Sequence, residues 1–435
     1  MSGALAYNEY ADELEELVKA SIIGQKCAKV PDEVAKTLAI QSNIELRKLV
    51  PIETLREMGA FFTSHELAER LALTLEKELR DGAEVIDIAC GTGDLLAACA
   101  KYLPAGKNLD ETISIWATKL FGVDLDSAFV RTAQSRLLLL AIKYATNNVA
   151  SCLDLTNAFS GICVGNALKS ADLIKGKKCV IINPPFNQVP DQGRCKWATG
   201  KVSQAAIFLD YVLENCDLGT SIVAILPEVL RTGTRYMKWR ECIEINSVIN
   251  DVEIIGQFDN KTDIDVFILR LQKCTPRPLT EIKEWWTSSK NQICEYGKLV
   301  CDYFDVAVGT VVPHRDLENG ASYPYITAHL LPKWSIFDEI VSRRNYSGRT
   351  FMPPFVVVRR TSRPNDKFRA VATIIAGQEP VAVENHLIVL IPKTKTLNDC
   401  LELLDVLKRD ETNDWLNERI RCRHLTVNSL KNIPW

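Results

Sequence analysis

Two short stretches hold residue types able to do chemistry. The first is DIACGTGDLL (87–96), an apolar run ending in a glycine loop that opens into a helical pattern. Glycines at 91 and 93 let the backbone turn sharply and approach a ligand closely, beside the amides of a helix start. A strand-to-helix turn with no ligand would use the same glycines, so the loop alone decides nothing. Its acids say more. Asp87 and Asp94 flank it, and negative charge suits a sulfonium or amino group better than a pyrophosphate. The next β-rich run ends GVDLD and puts Asp124 at a strand's carboxyl end, where a carboxylate takes two ribose hydroxyls. These features point to S-adenosylmethionine rather than a dinucleotide. Asn166, in CVGNAL, ends a third short run; its amide either meets an adenine edge or serves as a plain turn residue.

The second stretch is VIINPPFNQ (180–188), a buried-strand pattern ending on a stiff polar corner. Proline has no N–H and a fixed φ, so Pro184 and Pro185 rigidify the corner and leave its carbonyls exposed to incoming donors. The Asn183 side-chain oxygen and the Pro184 carbonyl can then accept both hydrogens of one amino group, with Phe186 as a stacking face. An amine on a heteroaromatic ring is a poor nucleophile because its lone pair is delocalised. Two acceptors on its hydrogens favour a tetrahedral nitrogen, so positioning and electrostatics replace a strong base. The bland alternative is a proline turn that merely stops a strand.

Both motifs need a sheet edge to stand on. From about residue 59 to 275, short β-rich runs alternate with helical periods: EVIDIA (84–89), LFGVDL (120–125), CVIINP (179–184), SIVAILP (221–227), DVEIIGQF (251–258) and DVFILRL (265–271). This pattern predicts an α/β, Rossmann-like fold: a parallel or mostly parallel sheet with helices on both faces. Residues 1–58 read as helical, from ADELEELVKASII and PDEVAKTLAI. Residues 276–298 read as a connector, and 299–435 as a smaller α+β domain with strands in YFDVAVGTVV, PPFVVVRR, ATIIAG and HLIVLIP and one long helix over about 396–421.

Composition narrows the function classes. The 435 residues are 47% hydrophobic and 25% charged with a net charge of −3, so no global field drives the chain onto nucleic acid or acidic lipid, and any basic surface is local. Fourteen cysteines include no CxxC pair and lie away from zinc-ligand spacing with the five histidines; we expect reduced thiols and no metal site. No apolar run reaches membrane-spanning length. With no signal peptide in view, the expected compartment is the cytoplasm.

The ordered set GAFFTS (59–64), DIACGTGDLL, GVDLD, GNAL, NPPF, AAIFLDYVL, IVAILPEVL and DIDVFILRL resembles the gamma-class N6-adenine DNA methyltransferases. These are prokaryotic or phage modification enzymes of Type I and Type II restriction systems, with a target-recognition domain after the catalytic one. The resemblance implies that Phe62 and Thr63 lie over the methionine end of S-adenosylmethionine and that Asp87, Ala89, Gly91 and Gly93 form its loop. It further implies that Asp124 holds the ribose and that Asn166 and Phe208 frame the cofactor adenine, although many members have aspartate where this chain has Asn166. Asn183, Pro184 and Phe186 would hold the target adenine, with Phe258 on its opposite face.

Such a pocket reaches a duplex base only after it is flipped out. Arg194, Lys196 and Lys201, in the loop after NPPF, are candidates to clamp the strand, unless the loop is a solvated insertion. Residues 341–370 hold Arg343, Arg344, Arg349, Arg359, Arg360, Arg363, Lys367 and Arg369 against the single acid Asp366, a pattern suited to phosphates and guanine edges or else a solvated basic face. The expectation is a site-specific DNA adenine methyltransferase, monomeric or homodimeric. Its partners would be double-stranded DNA and a separate restriction endonuclease or other defence-complex subunits. The alternatives are an RNA adenine or protein glutamine methyltransferase, and a DNA-binding subunit of a defence complex active only with partners.

Overall fold

Val85–Asp87 (β1) and Cys179–Ile182 (β4) are buried at every position, as strands covered on both faces must be. The computed structural model in which they are seen describes residues 2–24, 48, 63–144, 158–191, 193, 195–259, 262–279, 285 and 297–435. The chain divides into two compact units, one running to Lys283 and one from Glu284, with Thr232–Thr234 belonging to the second.

The first unit is built on a seven-stranded sheet. Its other strands are β2 (Leu120–Asp124), β3 (Ile162–Val164), β7 (Ser221–Pro227), β8 (Ser247–Asp259) and β9 (Thr262–Lys273), in the order β3-β2-β1-β4-β7-β9-β8. The first five in that order are parallel. The last two are antiparallel because β8 and β9 are consecutive and turn back within a hairpin, Asp259 pairing with Thr262. From β1 the chain moves outward to β2 and β3, then returns to β1's other side at β4. The order therefore reverses between β1 and β4, the place where open α/β sheets bind ligands at their carboxyl edge.

Helices cover this sheet. A first one, α1 (Ser2–Gly24), packs on the later α5 (Ser127–Tyr144): Tyr7 meets Phe129 at 4.9 Å, and Arg131 pairs with Asp12 and with Glu15 at 2.7 Å. Between them come α2 (His65–Leu73), capped by the Ser64 hydroxyl, α3 (Asp94–Ala100) and α4 (Leu109–Ala117), capped by the Asn108 side chain. Two more, α6 (Gln204–Asn215) and α7 (Met237–Asn246), follow. The segment PDEVAKTLAI, Phe62, Arg194 and most of the expected connector lie outside the described residues.

In the second unit, β10 (Phe304–Val308), β12 (Ile336–Phe337), β14 (Phe355–Arg359), β15 (Ala372–Ile375) and β17 (Leu387–Pro392) form a five-stranded sheet, order β10-β17-β14-β15-β12. Side chains alternate across it. Val356, Val358, Ile388 and Leu390 join one core with helices α8 (Leu397–Lys408) and α9 (Asp410–Arg419), while Phe355, Val357, Leu387 and Val389 join another with Leu331 and Phe351. The long helix expected over 396–421 is two helices, because Arg409 adopts an extended backbone (φ −64°, ψ 142°) and starts a new one. A smaller sheet pairs β11 (Ala321–Ile326) with β13 (Arg343–Tyr346) and β16 (Ala382–Val383).

Candidate active site

The glycine loop leaves β1 and enters α3 by way of two left-handed residues, Gly91 (φ 49°) and Gly93 (φ 79°). They need glycine for different reasons. A Cβ on Gly93 would stand 2.8 Å from the Ala133 Cβ of α5, whereas one on Gly91 would face open space. Gly93 thus lets the loop press on a helix, and Gly91 keeps its backbone approachable. The Asp124 carboxylate, at the end of neighbouring β2, accepts from the Gly91 amide at 2.9 Å and from the Asp126 amide at 3.0 Å, tying the two strand ends together.

Asp87 is buried behind the loop and accepts from the Ala89 amide at 3.0 Å. Burial pushes its carboxyl up to about 8; the Ala89 bond opposes this, and the charges of Asp124 and Asp94 add to it. Burial also raises Asp124, against the Asp126 and Gly91 amides. Asp94 differs from the sequence reading. It pairs with Arg136 at 2.9 Å, both side chains being mostly buried, so its charge is met within the protein. That leaves the carboxyls of Asp87 and Asp124 at the loop. Directly after Asp124, Leu125 is an apolar side chain left 72% exposed, which sequence reasoning did not single out.

The second motif leaves β4, the strand adjoining β1 across the switch point. Asn183 donates from Nδ2 to the Thr63 hydroxyl at 3.0 Å, which orients its amide; Thr63 is buried and precedes α2. Pro184 is buried, Pro185 half-buried. Phe186 and Phe258, expected on opposite faces of a base, are in direct edge-to-face contact with centroids 5.6 Å apart and planes at 84°. A base between two ring faces needs them about 7 Å apart, twice a van der Waals contact, so these rings fill each other's space. Asn166 is exposed and its Oδ1 accepts from the Leu168 amide at 3.1 Å, capping a short turn. Phe208 is buried on α6.

Beyond Phe186 the chain forms a hairpin, β5 (Gln188–Pro190) with β6 (Lys201–Ser203). Trp197 pins it from within: the indole donates to Asp210 on α6, and the ring lies 5.8 Å from Tyr236. The Tyr236 hydroxyl accepts from the Ser203 amide at 3.0 Å, and Arg235 donates to the Thr199 carbonyl at 2.7 Å. Burial raises Asp210 to about 7, against its bonds from Trp197 and Trp239. Lys196 and Lys201 are exposed on this anchored hairpin.

With this geometry in place, the family comparison is decisive: the model of the N-6 DNA methylase family matches residues 46–292, more than half of the chain. The chain belongs to that family. Solved structures similar to this N-6 DNA methylase include a type I restriction enzyme modification subunit from Vibrio vulnificus YJ016 (18% identity, 60% of this chain and 56% of that one, TM-score 0.42). The EcoKI M protein is 15% identical over 61% of this chain and 63% of that one (TM-score 0.39). The type IIL enzyme MmeI, solved with DNA, is 11% identical over 92% and 67% (TM-score 0.47). This chain thus spans less than two thirds of the first two. No curated protein sequence matches it.

The second unit of this N-6 DNA methylase redistributes the expected basic set. Arg369 is a correction. It is 1% exposed, and its guanidinium donates to the Ser362 hydroxyl, the Asn417 side chain and the carbonyls of Ile420 and Cys422. It is an internal fastener with no face for a partner. Arg343 pairs with Glu379 and Arg344 with Glu318, each at 3.0 Å. Arg359 donates to the Leu331 carbonyl at 2.8 Å, and Arg349 and Lys367 lie over the rings of Phe351 and Phe368. Arg360 is half-buried and Arg363 exposed. Among the described residues no group of three or more His, Cys, Asp or Glu is arranged to hold a metal ion, and no helix is long and apolar enough to cross a membrane.

Proposed function

We propose that this chain moves a methyl group from S-adenosylmethionine to the N6 amine of an adenine flipped out of duplex DNA. The observation that carries the proposal is adjacency: the glycine loop with its buried acid and the Asn-Pro-Pro-Phe corner end neighbouring strands at the switch point.

The residues fit the cofactor. Asp87, carboxyl-bearing and buried, suits the cationic methionine end, Gly91 offers an open backbone, Asp124 suits the ribose, and Leu125 suits the adenine ring. Phe208 and Asn166 are assigned to the same adenine, Asn166 through its amide edge. Bound there, S-adenosylmethionine supplies a methyl carbon open to attack by a nitrogen lone pair. At the corner, Asn183 Oδ1 and the Pro184 carbonyl accept the two amine hydrogens, which localises the nitrogen lone pair. Thr63 holds the amide in that sense. Phe186 stacks on the base, and Phe258 moves off Phe186 to cover the other face.

The second unit is assigned target recognition, and Lys196 and Lys201 the strand near the flipped base. Restriction or other defence subunits are the partners this reading implies. Incubation with duplex DNA and methyl-labelled cofactor tests it: label is expected on adenine N6. Label on RNA or on protein glutamine, and none on DNA, would reject the assignment.

A further inference from the structure

In the second unit, Arg360 of the 341–370 run converges with basic residues from elsewhere in the chain. The segments that follow β14 and α9 meet in a short ladder: the Ser362 amide donates to the Arg423 carbonyl at 2.8 Å and the Leu425 amide to the Arg360 carbonyl at 2.8 Å, with Thr361 opposite His424. The start of β17 joins them, since the Arg360 amide donates to the His386 carbonyl at 3.0 Å. Three distant segments thus bring Arg360, His386, Arg423 and His424 to one corner, and all but half-buried Arg360 are exposed. Arg369 fastens it from below, bonding Ser362 on one side and Ile420 and Cys422 on the other.

The guanidiniums of Arg360 and Arg423 make the corner cationic, with the two imidazoles as polar donors. Burial first, then the charges of Arg360, His386 and Arg423, hold the His424 imidazole below its usual range. The acids at its margin are engaged: Glu384 bonds His386 Nδ1 at 3.0 Å, and Asp366 accepts from the Arg363 amide at 2.7 Å. The Thr361 hydroxyl, 3.3 Å from His424 Nδ1, adds a neutral polar group. Guanidinium and imidazole donors gathered on one backbone ladder match the oxygens of a phosphodiester.

We propose that Arg360, Arg423, His386 and His424 form a phosphodiester-binding corner that grips the DNA backbone and sets the register of the second unit on its substrate. This rests on the DNA methylase reading above. The test is binding of the full chain to a labelled mixed-sequence duplex across a salt series, comparing wild type, R360Q/R423Q and R360K/R423K. Neutralising two phosphate contacts is expected to lower the slope of log K against log salt by about 1.8, at roughly 0.9 per contact, and the lysine pair is expected to restore most of it. A wild-type slope in R360Q/R423Q overturns the proposal, as does equal displacement by inorganic phosphate at low concentration or tighter binding of single-stranded RNA than of the duplex. The parent reading fails separately, by absence of label on adenine in the methylation assay.

Discussion

In the first unit the residues proposed to carry chemistry reach their place through chain continuity. Asp87 ends β1 and Gly91 follows it, Asp124 ends β2 and Asn183 follows β4, so a parallel sheet delivers them to one edge as soon as it forms. In the second unit the basic residues that meet are Arg360, His386, Arg423 and His424, from three separate segments, and the longest basic run in the sequence is partly spent on internal bonds. One site is dictated by local motif, the other by tertiary assembly. A charge run is therefore poor evidence for a binding face until its side chains are traced.

The comparison breaks most visibly at Arg369. Arg369→Met should cost about 3–5 kcal/mol in chemical denaturation, because several buried acceptors lose their donor, whereas Arg343→Met, an exposed ion pair, should cost less than about 1 kcal/mol. Similar small losses at both would mean that Arg369 is not the fastener described. In the first unit, Asn183→Ala should lower single-turnover methyl transfer by about 10²–10³-fold with cofactor affinity retained. Parallel loss of both would make Asn183 a structural partner of Thr63. Next in size is Gly93→Ala, which forces a left-handed alanine against Ala133 and should cost roughly 2–3 kcal/mol; Gly91→Ala meets no neighbour and should cost about 1–2 kcal/mol from backbone strain alone. Equal costs at the two glycines would contradict the close packing at position 93.

A further effect concerns pH. Asp210 keeps its proton up to about 7 in the folded chain, against an ordinary carboxyl value of 3.8. Between those limits the folded state binds the extra proton, so this group makes stability fall as pH rises. Asp210→Asn should flatten that fall by up to about 1.4 kcal/mol per pH unit. Unfolding measured from pH 4 to 8 checks it, and an unchanged slope would show that the carboxyl titrates normally.

Much of the first unit was legible in the sequence because its signals are local. Buried runs ending in glycine or proline mark strand ends, and the α/β alternation fixes their common edge. The bond from Asn183 to Thr63, the Arg136 partner of Asp94 and the Trp197–Asp210 anchor join positions far apart in the chain, and no spacing announces them. The antiparallel sense of β9 was hidden because its buried run Val266–Leu269 is as apolar as a parallel strand. Arg409 broke an expected helix through its backbone angles, with no proline or glycine to signal it. In the second unit the strands were visible from their alternation, while the fate of each arginine depended on neighbours that only folding supplies.

The edge-to-face contact of Phe186 and Phe258 has a bearing on which adenines qualify. Separating such a pair forfeits about 0.5–1.5 kcal/mol. A free nucleoside must force the rings apart with its own stacking alone, while an adenine in a duplex arrives with its backbone already held elsewhere on the protein. In the proposed reaction the rings thus form a threshold set by context rather than by base identity, one that screens out the cell's dissolved purines before any sequence is read.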